Sequence, residues 1–302
     1  MTAAINTGKS YSGFRPALDL SASILDPSAL FSAYKIRVVA DGGSIPDEPG
    51  CLTRFEFLVN NGMYSRATFC ATPAFGLKVD GAGNVQTVYN LLGSAGDLIA
   101  GSQGTPPLPM TYDATARAVI IQVTSGGGWY LKSRTNLVIQ KSSTYLIAGR
   151  MSDLNRADNN GITAGYNLTG LPMAYLRTMI TNNSAVTEAW RYGSRDSAWP
   201  AGSGGALNAA TNIYADYVPS SGLFKVDQGV IEGYEKGKLL ATSSPAATGK
   251  LADLSSYTTP MLIGGTQLAN NIVSACYGAF MDILCLHTAD ESDAILASRL
   301  GM

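Results

Sequence analysis

The chain has 302 residues, 46% hydrophobic and only 14% charged, where globular domains average about 25% charged. This hydrophobicity excludes intrinsic disorder, and 21 basic against 22 acidic residues exclude the basic face that nucleic-acid binding requires. No apolar run approaches the ~20 residues of a membrane-spanning helix. The opening Met1-Thr2-Ala3-Ala4-Ile5-Asn6 carries neither the basic nor the apolar part of a secretory signal. No signal peptide, nucleic-acid partner or membrane insertion is therefore expected.

Residues 1–25 precede the first patterned segment and are expected to form an anchoring arm or an inter-subunit strand. Residues 26–302 are expected to form one domain. Asp26-Pro27-Ser28 opens a short helix, with Asp26 as N-cap and Pro27 at the first helical position. Arg54-Phe55-Glu56-Phe57-Leu58-Val59 alternates and meets Asn60-Asn61-Gly62, which predicts a strand running into a hairpin. Further strands follow at Phe75–Val79, Val85–Tyr89, Ala118–Val123 (buried on both faces), Trp129–Leu131, Thr144–Arg150, Ala174–Ile180 and Ala189–Tyr192. The series closes with Leu223–Val226, Val230–Tyr234, Met261–Gly265 and Ala275–Leu286. Thr288 with Glu291 three residues on has capping-box spacing and predicts a C-terminal helix. Short strands between Gly, Pro, Asn and Asp turns define an all-β sandwich or barrel.

The four cysteines, Cys51, Cys70, Cys276 and Cys285, have no CxxC spacing, and the one histidine, His287, cannot complete a Cys/His zinc site. Buried reduced thiols are expected, and Cys51–Cys70 is the pair best placed for a disulfide.

The last quarter of the chain carries four motifs in a familiar order. Val230-Ile231-Glu232-Gly233-Tyr234-Glu235-Lys236-Gly237-Lys238-Leu239 resembles the "vyvNGklv" hairpin of concanavalin A-like lectin and laminin-G-like domains, with Glu235-Lys236 where the turn usually has Asn. Met261–Gly265 resembles their "lyIGg" strand, Tyr277–Leu286 their "f.G.i.evliyn" strand, and Thr288–Leu300 their closing helix. In the middle, Asn84–Leu98 resembles a degenerate "yVttwYDQSGNGrDat", a segment of concanavalin A-like domains in phage virion proteins, bacterial surface proteins and the fungal arabinofuranosidase B catalytic domain. Phe31–Arg37 weakly resembles the "aYSlRklr" that precedes it. The resemblance implies a jelly-roll sandwich of two antiparallel sheets with a short C-terminal helix. It also implies a lectin-like subunit on a bacteriophage virion surface (a decoration, fibre or adhesin protein), whose partners are copies of itself, other virion proteins and host surface glycans. The alternatives are an arabinofuranosidase-related glycoside hydrolase and a cellular carbohydrate-binding module.

Glycosidase chemistry needs two carboxylates roughly 5–9.5 Å apart. The E-x-D-x-x-E string of concanavalin-like glucanases is absent, as is the adjacent cysteine pair that the arabinofuranosidase likeness would bring. Asp227 and Glu232 are an odd number apart and would face opposite sides of a regular strand, and Glu188, Asp196 and Asp216 are isolated. No phosphate loop or nucleophile elbow occurs, and His287 reads as a packed or interfacial residue. The chain is expected not to be an enzyme. For sugar binding, Trp190 and Tyr192 share one face of their strand, with Trp199, Arg191 and Arg195 nearby; core packing is the competing role for Trp190 and Tyr192, and for Trp129. No cofactor is expected apart from calcium, for which Asp153, Asn155 and Asp158 gather oxygen donors, a pattern that turn-forming Asx residues also produce.

Overall fold

The computed structural model describes residues 25–299 except 106–107, 125–126, 154–161, 168–173, 183–185, 195–203, 211–218, 256, 269–270 and 275–277. The predicted arm, save Leu25, lies outside the described residues. The fold is an all-β sandwich of two antiparallel sheets, with two helices before the strands and a short one after them. The first sheet runs, edge to edge, Lys238–Thr242, Val230–Glu235, Pro219–Lys225, Thr144–Asp153, Gly278–His287, Ala118–Ile121 and Thr111–Asp113, with Ala67–Ala71 also paired to Gly278–His287. The second runs Gly205–Ala210, Val186–Ser194, Ala174–Asn182, Thr163–Asn167, Met261–Ile263, Gly127–Ser133, Leu98–Gly104, Val85–Val88 and Leu77–Val79.

Two cores result, and they share strands. Ile283 and Cys285 point into the sandwich beside Tyr145 and Ile147. Their neighbours Leu284 and Leu286, with Leu146 and Ala148, point the other way. The period of two thus makes both strands apolar on both faces. The outward row is covered by helices α1 (Pro27–Ala40), α2 (Glu48–Asn60) and α3 (Glu291–Ala297). Their buried Val38, Phe55, Leu58 and Ala294 complete the second core, and full burial of a Phe or Leu side chain contributes about 1.5–3 kcal/mol.

The helical layer is where the sequence reading needs correction. Arg54–Val59 is not a strand but the second half of α2. The apparent alternation hides a helical stripe, Cys51, Phe55 and Leu58, all buried, spaced four and three apart. Asp47 caps it by accepting from Gly50 N at 3.0 Å, with proline in the first turn. The Asp26 cap is as predicted, accepting from Ser28 N at 2.9 Å, but α1 continues to Ala40. α3 begins two residues later than predicted. Asp290 and Asp293 form its capping box, because Thr288 lies in the left-handed region (φ 55°) and ends the preceding strand. Cys51 and Cys70 are free and buried, as is Cys285, so the Cys51–Cys70 bridge does not form. Burial pushes the Cys51 thiol up to about 12 and the Cys70 thiol up to about 11, which keeps both protonated and unreactive.

The sandwich core is organised around Trp190. Gly222 and Gly233 face each other across adjacent strands. A Cβ on either would lie 2.2 Å or 2.3 Å from the indole, so the two glycines open the recess that the ring fills. The hairpin between Val230–Glu235 and Lys238–Thr242 turns at Lys236 (φ 49°) and Gly237 (φ 80°), the left-handed pair of a type I′ turn.

Candidate functional site

The outward row of the first sheet changes character at one end. Beyond Leu146 and Ala148, and beyond Leu286 and Leu284, the next pair is Arg150 opposite Asp282. One step further the register slips, so that Met151 lies opposite Phe280 and Met281 is the extra residue of a β-bulge. The bulge resets the alternation. Phe280 stays in the sandwich core while Asp282, two residues on, faces outward to α2. Bulges of this kind re-aim side chains beside functional sites. Between α2 and the Asp113–Arg117 turn a cavity of about 330 Å³ opens over this end of the sheet.

Arg54 and Asp282 form its floor. The Arg54 Nη1 and Nη2 atoms donate to Asp282 Oδ1 and Oδ2 at 3.0 and 2.5 Å, and the Thr72 hydroxyl donates to Oδ1 at 2.8 Å. The Arg54 guanidinium also stacks 5.3 Å from the centre of the Phe75 ring. Both charged residues are almost fully buried, Arg54 being 6% and Asp282 3% exposed. Burial opposes the charge on Arg54, but attraction and hydrogen bonding from Asp282 outweigh it and hold the guanidinium above the usual arginine range. Phe75, Ala74 and Met281 give the cavity an apolar wall.

Arg150 and Arg117 complete the lining. Burial first, then repulsion from Arg54 and Arg117, holds the half-buried Arg150 below the usual arginine range despite the attraction of Asp282. Arg117 stands at the rim with φ 59° and donates to Asp47, the cap of α2. Its turn is fixed by Asp113, whose Oδ1 accepts from the backbone N–H groups of Thr115 and Ala116 at 2.8 and 3.0 Å.

The residues predicted to bind sugar lie elsewhere. Trp190 and Tyr192 do share one face, but it is the inner one. They are 0% and 1% exposed, and the Tyr192 hydroxyl donates to Ala252 O, so neither ring is available to a ligand; core packing is their role. Arg191 belongs to Val186–Ser194, with its side chain outside the described residues. Trp199 and Arg195 lie outside them altogether. Of the calcium candidates, Asp153 ends its strand with its side chain not described, and Asn155 and Asp158 lie outside the described residues. Among the described residues no three His, Cys, Asp or Glu side chains converge on a metal position. Trp129 packs partly buried against the sandwich core, donating from Nε1 to Leu108 O at 2.6 Å. Glu232 accepts from Lys225 at 2.6 Å and from the Tyr234 hydroxyl at 2.7 Å. His287 ends its strand half-buried.

The pocket residues Arg54, Arg117, Arg150 and Asp282 escape a sequence reading because the pair at its floor is separated by 228 positions. One signal was present: Arg150 and Asp282 are each flanked on both sides by apolar residues, Gly149 and Met151 for the one, Met281 and Ile283 for the other.

No family model and no curated protein matches the chain. Among solved structures it is similar to one described as the crystal structure of a receptor binding domain (TM-score 0.47, 11% identity, 77% of this chain and 50% of that one). It is also similar to the IT-sialidase CBM40 of Ruminococcus gnavus (TM-score 0.39, 14% identity, 56% of this chain and 98% of that one). A third is the binding domain of botulinum neurotoxin DC in complex with rat synaptotagmin II (TM-score 0.47, 10% identity, 77% and 51%). The chain spans about half the length of the first and third of these.

Proposed function

We propose that the chain is a non-catalytic, lectin-like binding module of a bacteriophage virion surface, and that it holds a host glycan in the pocket over Arg54 and Asp282. The observation that carries this reading is the state of the pocket's carboxylate. A glycosidase needs two carboxyl groups, one to protonate the leaving group and one to act as nucleophile or base. Among the described lining residues Asp282 is the sole acid, and both its oxygens are held by Arg54, with Thr72 on one of them. What remains is a rigid concave surface with one apolar wall and convergent polar groups, the usual make-up of a small-ligand site.

The test is an array of oligosaccharides probed with the full chain, followed by incubation of each bound glycan with excess protein. Binding without cleavage is expected. Release of a reducing sugar, or hydrolysis of a chromogenic arabinofuranoside, overturns the reading. Self-association belongs to the same proposal: light scattering on the purified chain is expected to give a trimer or larger assembly, and a clean monomer argues against the virion setting.

A further inference from the structure

Helix α1 has no charged side turned to solvent. Tyr34 and Val38 are buried beneath it, but its exposed positions include Ala29, Ala33, Ile36, Val39 and Ala40. Ile36 is 71% exposed, more than any other large apolar side chain among the described residues, and Val39 58%. The only charged residues of the helix, Lys35 and Arg37, lie at the two borders of this face, and each is held by a neighbour. Lys35 donates to Glu48 at 2.6 Å, and Arg37 to both oxygens of Asp97 and to Asn90 O. α2, packed beside it, is ordinary: Glu48, Thr53, Glu56 and Asn60 are among its exposed positions. A surface helix keeps its polar residues on the side away from the core, and a helix that is apolar all round is a buried one. The outer face of α1 is therefore a face that a further element covers.

Position and pattern select the occupant. The 24 residues before Leu25 enter α1 at its first turn, and so short a tether gives an effective concentration in the millimolar range. Within them Leu18, Leu20, Ala22 and Ile24 fall on alternate positions, with Asp19, Ser21 and Ser23 between. In an extended chain the apolar four share one side and the polar three the other. This run is too short to stand as an element alone and needs an apolar surface to lie on. The lengths also match. Seven extended residues span about 23 Å at ~3.3 Å each, and the 14 residues of α1 rise about 21 Å. Leu25 and Asp26 suffice for the reversal, because two-residue connections join strands to helices.

We propose that Leu18–Ile24 folds back along α1 of its own chain, with its apolar side over Ala29, Ala33 and Ile36. Asp19 then faces water, so the contact buries no charge. This inference stands apart from the glycan reading, and either can fail alone.

The experiment is limited digestion of the full chain with chymotrypsin, with cuts after Leu18 and Leu20 followed by mass spectrometry. Docking shields these bonds, and their cleavage then tracks the population in which the arm is open. Ile36→Lys places a charge in the middle of the seat at an exposed position that leaves the fold safe. It is expected to accelerate cutting in the arm at least about tenfold. Leu20→Asp should accelerate the cut after Leu18 likewise, and combining it with Ile36→Lys should restore part of the protection. Val138→Lys, at a position 68% exposed outside the helix, should leave the rate unchanged. The rates should not depend on protein concentration. Equal cutting of the parent and Ile36→Lys chains overturns the proposal. Protection that appears only at high concentration, together with a larger particle in light scattering, overturns the own-chain assignment and gives the face to a second copy.

Discussion

The strands Thr144–Asp153 and Gly278–His287 build two different environments on their two faces. Between the sheets the residues are apolar along the strand length, from Tyr145 and Cys285 to Met151 and Phe280, and the space is closed by Trp190 and Tyr192. On the helical side the same strands begin apolar, at Leu146 and Leu286, and end in Arg150 and Asp282, where the cover of α1 and α2 gives way to a cavity. A face sealed by a second sheet has no room for a ligand. A face roofed by a few short elements leaves an open end, and the charges sit there.

The largest effect should come from breaking the charged end. Asp282→Asn leaves the Arg54 guanidinium buried without its counter-charge, and losing one partner of a buried pair costs about 3–5 kcal/mol. Urea unfolding should show that loss, and a change below about 1 kcal/mol would mean that the pair is better solvated than its geometry indicates. The apolar face should break differently. Gly222→Ala or Gly233→Ala drives a methyl into the Trp190 ring, and overpacking of this kind costs about 1–3 kcal/mol. Replacing Trp190 by Phe in the same chain should recover part of the loss, whereas no recovery would assign the cost to the backbone.

A third prediction separates α3 from the sheets by pH. Hydrogen bonds from Ser292 and from the Asp293 backbone hold the Asp290 carboxyl below the usual carboxylate range. Its folded value lies below its unfolded one. Its contribution is therefore present above the unfolded value and is lost as the pH falls through the folded one. Asp290→Ala is expected to cost about 1 kcal/mol at neutral pH, as lost N-caps do, and nothing measurable in acid. A pH-independent cost would contradict the capping role. The smallest effect lies at the sheet edge: Lys236→Asn, which suits the left-handed turn position, should raise stability by a few tenths of a kcal/mol in thermal unfolding.

The sandwich was legible because its signals are local. Period-two runs between turn residues locate most of the strands, and the hairpin at Lys236-Gly237 was visible even without the usual Asn. α2 was not legible as a helix, because Phe55 and Phe57 stand two apart and set a strand-like alternation, while the buried stripe through Phe55 and Leu58 starts at Cys51, outside that run. The side that Trp190 and Tyr192 face was decided by Gly222 and Gly233 on two strands of the opposite sheet, which no window around residue 190 contains. The pocket needed contacts between α2, the Thr72 segment and the far end of the chain, so its composition became visible only in three dimensions.

Met281 carries a consequence for how this chain tolerates insertions and deletions. It works as a phase marker in the strand: residues before it are written in one inside–outside frame and residues after it in the opposite one. Deleting that single residue would merge the two frames: Phe280 and Asp282 would become neighbours in a regular strand, and alternation would still send the ring between the sheets and the carboxylate toward α2. Deleting Leu284 instead would leave Ile283 and Cys285 side by side and exchange the core and helical rows on one side of the gap. The strand therefore tolerates the loss of one residue at the bulge far better than a few positions further on.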